Sequence, residues 1–382
     1  MRRALPFLVA AFAAFAAAPA DAAPAPVAWC GTDTAATDRK PDAVASRQIG
    51  VIYAFPAGGA DRFAALASPI VTDLTVADAW WRREDPARTL RFDLAGFPAC
   101  SSTLGGLDLA RVPLQRGAGV YAPLRGRFDQ IASDLFGAPF AFASRFKKYL
   151  VYYDGPVEEP DVCGTAAGRA DTGPSFAVVY IRACGADPVG QGALWADVAV
   201  HELLHALGAV PQAAPHTCAR SAGHVCDSDV DLMFPSTSGE ALDAMRLDVG
   251  RDDYYGHGGS WFDVQDSGWL ARLDAALHPL TVAIEGTGRV DSDLPGIECP
   301  PACSIPWESG TLVTLTAIPG PGARFVGWRG ACTGRGVCAL AVSAGLTVTA
   351  AFGRASFRAT VRTSGPGRVT SRPAGISCGP RC

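Results

Sequence analysis

Between residues 48 and 279, short apolar runs alternate with longer segments in which apolar and polar residues recur with a helical period. Runs of aromatic and β-branched residues bounded by glycine or proline predict strands, and a 3.6-residue period predicts amphipathic helices. The predicted strands are 48–55, 89–95, 148–155 and 175–184, and the predicted helices are 60–84, 122–137 and 192–208. This mixture predicts an α+β domain over residues 48–279.

The pattern changes after Pro279 to short alternating strands separated by glycine turns, at 280–290, 310–320, 323–330 and 346–353. Such a pattern is typical of an all-β unit, which we place at residues 280–353. The stretch 286–303, "GTGRVDSDLPGIECPPAC", is repeated as "GPGRVTSRPAGISCGPRC" at 365–382. Residues 354–382 are therefore predicted to be a partial second repeat, either a truncated unit or a piece packed on the first copy.

The beginning of the chain has the composition of a targeting segment. Residues 1–22 combine a basic start, an apolar run and small residues at Ala20–Ala22, which predicts a signal peptide; an uncleaved membrane anchor is the alternative. Residues 23–47 are small and polar and predict an N-terminal arm, and no later segment is apolar enough to cross a membrane. We expect a secreted or cell-envelope protein, and the Ala-, Gly- and Arg-rich composition is typical of GC-rich bacteria.

Charge and cysteine content narrow the class of protein further. The net charge of −4 argues against non-specific binding to nucleic acid, which requires a basic surface. All twelve cysteines follow the predicted signal, and an even count in an exported chain predicts disulfide bonds. Spacing favours the pairs Cys30–Cys100, Cys163–Cys184, Cys218–Cys226, Cys299–Cys303, Cys332–Cys338 and Cys378–Cys382, although sequence alone does not fix connectivity.

The segment "HELLH" at 201–205 contains the pattern H-E-x-x-H. Residues four apart share one face of a helix, so His201 and His205 can bind one zinc ion. Glu202 then lies beside the first ligand and can act as general base on water activated by the metal, passing the proton to a leaving amine. The alternative is an ordinary amphipathic helix with histidines on its surface.

A catalytic zinc ion needs a third protein ligand. In the long form of the pattern it is the eleventh residue, but here that residue is Pro211, which cannot bind a metal. Gly208 can turn the chain back towards a loop that contains His216 and His224.

We favour His224 as the third ligand. Gly223 before it permits close approach of the backbone, and a Cys218–Cys226 bridge would fix this loop. His216 is the alternative histidine, and an aspartate such as Asp227 or Asp229 is a further alternative.

These features together resemble the metzincin group of zinc metallopeptidases. The resemblance rests on "HELLHALG" at 201–208, the later Gly223-His224 and the "DLM" turn at 231–233, and it covers about residues 48–275. It is closest to a bacterial exported subset in which an insertion displaces the third histidine. The resemblance implies a mixed sheet with an active-site helix, an edge strand above the cleft and a Met-turn at Met233.

The implied function is a secreted zinc endopeptidase acting on a protein or peptide. Its substrate would pair with an edge strand, for which we predict residues 175–181. Several metzincins place a tyrosine near the metal after the Met-turn, so the resemblance suggests Tyr254 or Tyr255 as an oxyanion stabiliser; packing is the alternative for both. Asp252 and Asp253 can instead contribute to a calcium site.

The segment 280–353 resembles the internalin-type B-repeat family. The resemblance rests on F-x-G-W-x-G-x-C at 325–332 and V-T-x-x-F at 348–352. It implies a small β domain used as a spacer or to bind a cell-surface or extracellular ligand. Trp328 is either a platform for such a ligand or part of the core.

Two rival functions remain at this stage. The first is a zinc hydrolase acting on a non-protein amide of the cell wall. The second is a non-catalytic surface adhesion protein with a relic zinc site, which the departure at Pro211 favours. A Cys30 thiolate bound to zinc would make a secreted enzyme latent, and this is the alternative to the Cys30–Cys100 bridge.

Overall fold

The structure is a computed structural model that describes residues 26–41, 43–97, 99–167, 173–183, 195–236, 242–356, 358–372 and 374–379. The predicted signal peptide, Cys184 and Cys382 lie outside these residues. The chain divides into two compact units. The first contains Gln48–Leu273 and the residues before Lys40, and the second contains Lys40–Arg47 and Asp274–Cys382.

The first unit is built from strands and helices in alternation. In chain order its elements are β1 (Gln48–Ala57), α1 (Phe63–Glu84), β2 (Arg88–Leu90), β3 (Leu109–Gly117), α2 (Ala118–Tyr121), α3 (Arg127–Phe136), β4 (Lys147–Tyr153), β5 (Gly164–Ala166), β6 (Ser175–Tyr180), α4 (Ala196–Leu207) and β7 (Leu270–Arg272). Single turns of 3-10 helix lie at Leu104–Gly106, Leu242–Ala244 and Val264–Asp266.

Five of these strands form one mixed sheet in the order β3-β1-β4-β6-β5. The first four are parallel, and β5 pairs antiparallel with β6 at the edge. Every residue of β4 and β6 is buried, as is typical of parallel strands covered on both faces. The short pair β2–β7 forms a separate ribbon.

Each face of the sheet has its own apolar core. Val51 and Tyr53 of β1 belong to the cluster that contains α1 and α4, whereas Ile52 and Ala54 point the other way into the cluster that contains α3. This alternation follows from the two-residue period of a strand. Helix α4 packs against β5, β6 and α1, so it lies next to the sheet edge.

The described residues before Lys40 are fastened to the rest of the first unit by covalent and ionic bonds. Cys30 forms a disulfide with Cys100. The buried Nζ of Lys147 donates to Asp38 at 2.8 Å and to Asp93 at 2.6 Å. Because the Cys30 sulfur is bonded to Cys100, it cannot also be a zinc thiolate, and the latency alternative is wrong for this structure.

The second unit is all-β. Its strands are β8 (Leu277–Glu285), β9 (Gly288–Ser292), β10 (Glu298–Cys299), β11 (Ser304–Glu308), β12 (Thr311–Pro319), β13 (Ala323–Gly330), β14 (Cys338–Val342), β15 (Leu346–Arg354), β16 (Val369–Thr370) and β17 (Ser377–Cys378). Two four-stranded sheets, β10-β9-β12-β14 and β11-β8-β15-β13, enclose one core. The predicted overall class, α+β with a C-terminal β domain, is confirmed.

Trp328 belongs to this core. Its side chain is buried, and its Nε1 donates to the carbonyl of Gly336 at 3.0 Å. It is therefore a packing residue in this structure rather than an exposed ligand platform. The bridges Cys299–Cys303 and Cys332–Cys338 are present, and Cys378 is disulfide-bonded.

Within the part of the chain that the structure describes, no helix is both long and apolar enough to cross a membrane.

Candidate metal centre

Helix α4 carries the H-E-x-x-H pattern on its buried surface. His201, Glu202 and the apolar residues around them are buried, so this helix is covered on nearly all sides. It ends at Gly208, which adopts a left-handed conformation with φ 91° and donates its N–H to the carbonyl of His205. The predicted chain reversal at Gly208 therefore follows from a glycine C-cap.

The returning loop is closed by backbone pairing and a disulfide. The N–H of Cys218 donates to the carbonyl of His224 at 2.8 Å, and the N–H of Cys226 donates to the carbonyl of His216 at 3.0 Å. The predicted Cys218–Cys226 bridge ties the same two strands of the loop together. His224 is thus held inside a short closed segment.

Gly223 lies where this loop approaches α4. Its φ is 85°, which is unfavourable for residues with a side chain. A Cβ atom at this position would lie 3.4 Å from Cε1 of His205, an ordinary van der Waals contact. Glycine is therefore favoured here by the left-handed backbone conformation and not by lack of space.

The Nε2 atoms of His201, His205 and His224 meet at one point. They are separated by 3.2 Å for His201–His205 and by 3.3 Å for each of the other two pairs. Two nitrogens bound ~2.05 Å from one zinc ion at a tetrahedral angle lie about 3.3 Å apart. The donor set and its spacing therefore fit a zinc ion with one open position.

Hydrogen bonds to the opposite ring nitrogens orient two of these histidines. Nδ1 of His201 lies 2.6 Å from the carbonyl oxygen of Leu232, so it donates and carries the proton. Nδ1 of His224 lies 3.0 Å from Oγ of Ser221. A proton on Nδ1 leaves the lone pair of Nε2 free for a metal.

Burial keeps all three imidazoles neutral. It lowers the pKa of His201 to about 4 and that of His205 to about 3. Burial also lowers the pKa of His224. Neutral imidazole is the form that binds a metal, so at neutral pH no proton has to leave before an ion enters.

Glu202 lies in the same cavity, but its carboxylate oxygens are not among the converging ligand atoms. Burial raises the pKa of its carboxyl to about 8, and a divalent cation nearby would oppose this shift by favouring the carboxylate. A Cβ added at Gly164 would lie 2.7 Å from Oε1 of Glu202. Strand β5 therefore passes directly beside this carboxyl, where only glycine fits.

Met233 lies in a turn that bonds to the loop carrying His224 and to His201. It is fully buried, its carbonyl accepts from the N–H of Val225 at 3.0 Å, and its N–H donates to Asp231 at 2.8 Å. The residue before it, Leu232, supplies the carbonyl that orients His201. The turn therefore connects the ligand loop to the helix.

The structure does not bring the two tyrosines to the metal centre. Both are fully buried; the hydroxyl of Tyr254 donates to Asp231 at 2.9 Å and that of Tyr255 donates to Asp85 at 2.6 Å. Neither residue is among those that line the cavity. Their geometry argues against the predicted oxyanion role and favours the packing alternative.

His216 lies in a different cluster. Its Nδ1 is 2.9 Å from Oδ2 of Asp253 and 3.9 Å from Oδ2 of Asp227, and neither His216 nor Asp227 joins the three converging histidines. Asp229 belongs to no group of converging metal-ligand atoms among the described residues.

The carboxylates considered for calcium also lie near His216. Asp248, which the sequence prediction did not include, joins Asp252 and Asp253 as a third carboxylate within 4.8 Å. Asp248 accepts the N–H groups of Tyr254 and Tyr255, so it stabilises the turn that contains its neighbours. Calcium binding at this turn stays a prediction.

The converging histidines open into a cavity of about 800 Å³. Its described lining includes residues of α4, of the ligand loop and of the segment through β5. The residues are Asp161, Val162, Cys163, Gly164, Thr165, Ala166, Val198, His201, Glu202, His205, Gly208, Ala209, Val210, Pro211, Ala222, Gly223, His224, Pro235 and Ser236.

The predicted position of the edge strand is wrong. Residues 175–180 form β6, which pairs with β4 on one side and with β5 on the other. In the described sheet one edge strand is β3, and the edge strand beside β6 is β5, only three residues long and composed of Gly, Thr and Ala. So short a strand without large apolar residues gave no strand pattern in the sequence.

The comparisons with known proteins bear mainly on the second unit. Residues 299–356 match the family model described as Divergent InlB B-repeat domain, which confirms the predicted resemblance of this region. No curated protein matches the chain.

Among solved structures, the chain is similar to wild-type OgpA from Akkermansia muciniphila, with 14% identity over 84% of this chain and 86% of that one, and a TM-score of 0.33. It is also similar to catalytically inactive OgpA in complex with an O-glycopeptide (glycodrosocin) substrate, with 14% identity over 83% and 99% of the two chains, and a TM-score of 0.30. TM-scores this low establish neither a common fold nor a common activity.

Proposed function

We propose that the chain is a secreted zinc-dependent endopeptidase with a metzincin-like catalytic unit. The observation that carries the proposal is the convergence of three imidazole Nε2 atoms within 3.3 Å beside the buried carboxyl of Glu202 in one open cavity. Disulfides such as Cys218–Cys226 support export, because they persist in oxidising compartments.

The metal would be held by His201, His205 and His224. When bound, zinc supplies a Lewis acid that polarises a carbonyl and lowers the pKa of water to about 7. The chain contributes neutral imidazoles: the carbonyl of Leu232 fixes the tautomer of His201, and the hydroxyl of Ser221 can accept the Nδ1 proton of His224.

Glu202 would move the protons of the reaction. Its carboxylate accepts a proton from the attacking water and then donates it to the amine nitrogen as the peptide bond breaks. Two features support this role: the carboxyl lines the cavity, and Gly164 of the edge strand β5 lies directly beside it.

Strand β5 would bind the peptide. It pairs with β6 on one side only, so its other edge is available within the described part of the sheet. An extended peptide can add to such an edge by backbone hydrogen bonds. Because Gly164 of β5 adjoins Glu202, a peptide paired there would present a carbonyl beside the metal centre.

The test is zinc content combined with peptide cleavage for the purified chain and three variants. We expect His224→Ala to lose zinc and cleavage, Glu202→Ala to keep zinc but lose cleavage, and His216→Ala to keep both. Zinc-free wild type, or loss of zinc in His216→Ala alone, would contradict the proposal. Substrates should include unmodified peptides, an O-glycosylated peptide and a cell-wall peptide, since cleavage of the last alone would indicate the non-protein amide hydrolase.

For the second unit we propose a spacer or adhesion module. The match to the B-repeat model at residues 299–356 supports this assignment. Its partner would be an extracellular or cell-surface ligand, and deletion of residues 274–382 should abolish cell-surface binding while leaving cleavage of small peptides intact.

A further inference from the structure

Apart from histidines, the ionisable residues in the described lining of the cavity are all acidic. They are Glu202 and Asp161, and the described lining includes no lysine or arginine. Glu202 is buried beside the metal centre. Among the described lining residues, Asp161 is the remaining charge that a bound substrate would meet.

The side chain of Asp161 makes no polar contact that stabilises the described part of the fold. It is exposed, and among the described residues it has neither a hydrogen bond nor an ion pair. Glu159, two residues earlier, shows the contrast: its carboxylate accepts from the N–H of Leu124 at 2.7 Å and pairs with Arg127 at 3.0 Å. The Asp161 carboxylate is therefore available to a ligand.

Asp161 also lies at a defined place along the cleft. It precedes Gly164, the residue of β5 beside Glu202, by three positions in the chain. Three residues of chain span at most about 11 Å, so Asp161 lies within this distance of Gly164. A peptide paired along β5 would therefore bring a side chain within three residues of its cleaved bond close to Asp161.

We infer that Asp161 selects substrates with a lysine or arginine within three residues of the cleaved bond. This inference rests on the proposed peptidase function and names its substrate class. A cationic side chain would pair with the carboxylate, and an acidic one would be repelled by it. Because the site is exposed, attraction and repulsion together should give about a five- to ten-fold difference between matched lysine and glutamate peptides.

The experiment compares kcat/KM for peptides that are identical except for Lys, Gln or Glu at each of the three positions on either side of the cleaved bond. For wild type we expect one position at which Lys exceeds Glu by about five- to ten-fold. Asp161→Asn should bring this ratio close to one, and Asp161→Lys should reverse it. Higher salt should weaken the wild-type preference.

Glu158→Gln is the matched control. It removes an equal charge from the same acidic segment, but Glu158 is not among the residues that line the cavity. Its preference for Lys should equal that of wild type. Wild-type cleavage without a charge preference, or an unchanged preference in Asp161→Asn, would overturn the inference and leave the peptidase proposal standing.

A measurement of peptide binding tests the role of Asp161 independently of peptide cleavage. If no peptide is cleaved, the peptidase proposal fails, and fluorescence anisotropy of labelled Lys and Glu peptides with Glu202→Ala becomes the readout. Tighter binding of the Lys peptide that disappears in the Glu202→Ala/Asp161→Asn double variant supports the role of Asp161. Equal binding of the two peptides overturns it.

Discussion

Removing the hydroxyl of Ser221 should weaken zinc binding without removing a ligand. Oγ of Ser221 lies 3.0 Å from Nδ1 of His224 and is positioned to accept its proton. The backbone bond from His224 N–H to the carbonyl of Ser221 does not involve this hydroxyl. Ser221→Ala therefore removes one of the bonds that orient the imidazole ring, while the loop keeps its backbone pairing.

The size of the effect follows from the kind of bond that is lost. A neutral hydrogen bond contributes about 1 kcal/mol, and partners of metal ligands typically change affinity by about 10- to 100-fold. His224 is only half-buried, and besides Oγ of Ser221 its ring also interacts with the backbone of Ser221 and Ala222, so the lower end applies. We expect the zinc Kd to rise about five- to ten-fold.

The assay is competition for zinc with a chromogenic chelator, at a pH at which all variants are folded. Ser228→Ala is the control, since Oγ of Ser228 accepts only an exposed N–H from Val230, at 3.4 Å. Its zinc Kd should match that of wild type. If Ser221→Ala binds zinc within about two-fold of wild type, or if Ser228→Ala weakens it equally, the orienting role of Ser221 is refuted.

Three further predictions concern the ligand loop and its surroundings. Replacing Cys218 and Cys226 with serine should lower the free energy of unfolding by ~2–3 kcal/mol and weaken zinc binding. The same change at Cys332 and Cys338 should leave zinc affinity unchanged. Denaturant titration measures the stability, and competition with a chelator measures the zinc affinity. Met233→Leu should lower the free energy of unfolding by less than ~1.5 kcal/mol and Met233→Ala by ~2–5 kcal/mol, since the side chain is fully buried. If denaturant titration gives the same loss of stability for the two variants, the turn collapses around the gap. The hydrogen bond to Asp253 raises the pKa of His216, with Asp227 and Asp252 adding to the effect. His216 should therefore stabilise the fold below its ordinary pKa, and this stabilisation should be lost as pH rises through the raised value. Thermal melts across pH should show this slope in wild type and a flatter one in His216→Gln.

Much of the site could be predicted because its chemistry is local in sequence. A helix that ends at Gly208 places His201 and His205 one turn apart, and this requires only the helical period. Gly223 and the two cysteines around His224 predicted a pinned loop, and the structure brings His224 to the helix through that loop.

What could not be predicted depends on tertiary contacts. Tyr254 and Tyr255 follow the Met-turn in sequence, but buried aspartates bind their hydroxyls away from the cavity. Strand β5 is too short and too small in its residues to produce an alternating pattern. It forms a strand because β6 offers it an open edge, and no local sequence signal reports that.

The glycine at the end of α4 and the cystine behind His224 fix the two ends of a segment whose exposed middle can change in length. The histidine is held by the closed segment 218–226 and by its contact with the helix. Between Gly208 and Cys218, Ala209, Val210 and Ala214 are buried, whereas Gln212 and Ala213 are exposed, so residues can be gained or lost at this exposed point. Proteins with the same three-histidine arrangement can therefore differ in the gap between the second and third histidine, and a search that assumes one fixed gap would overlook them.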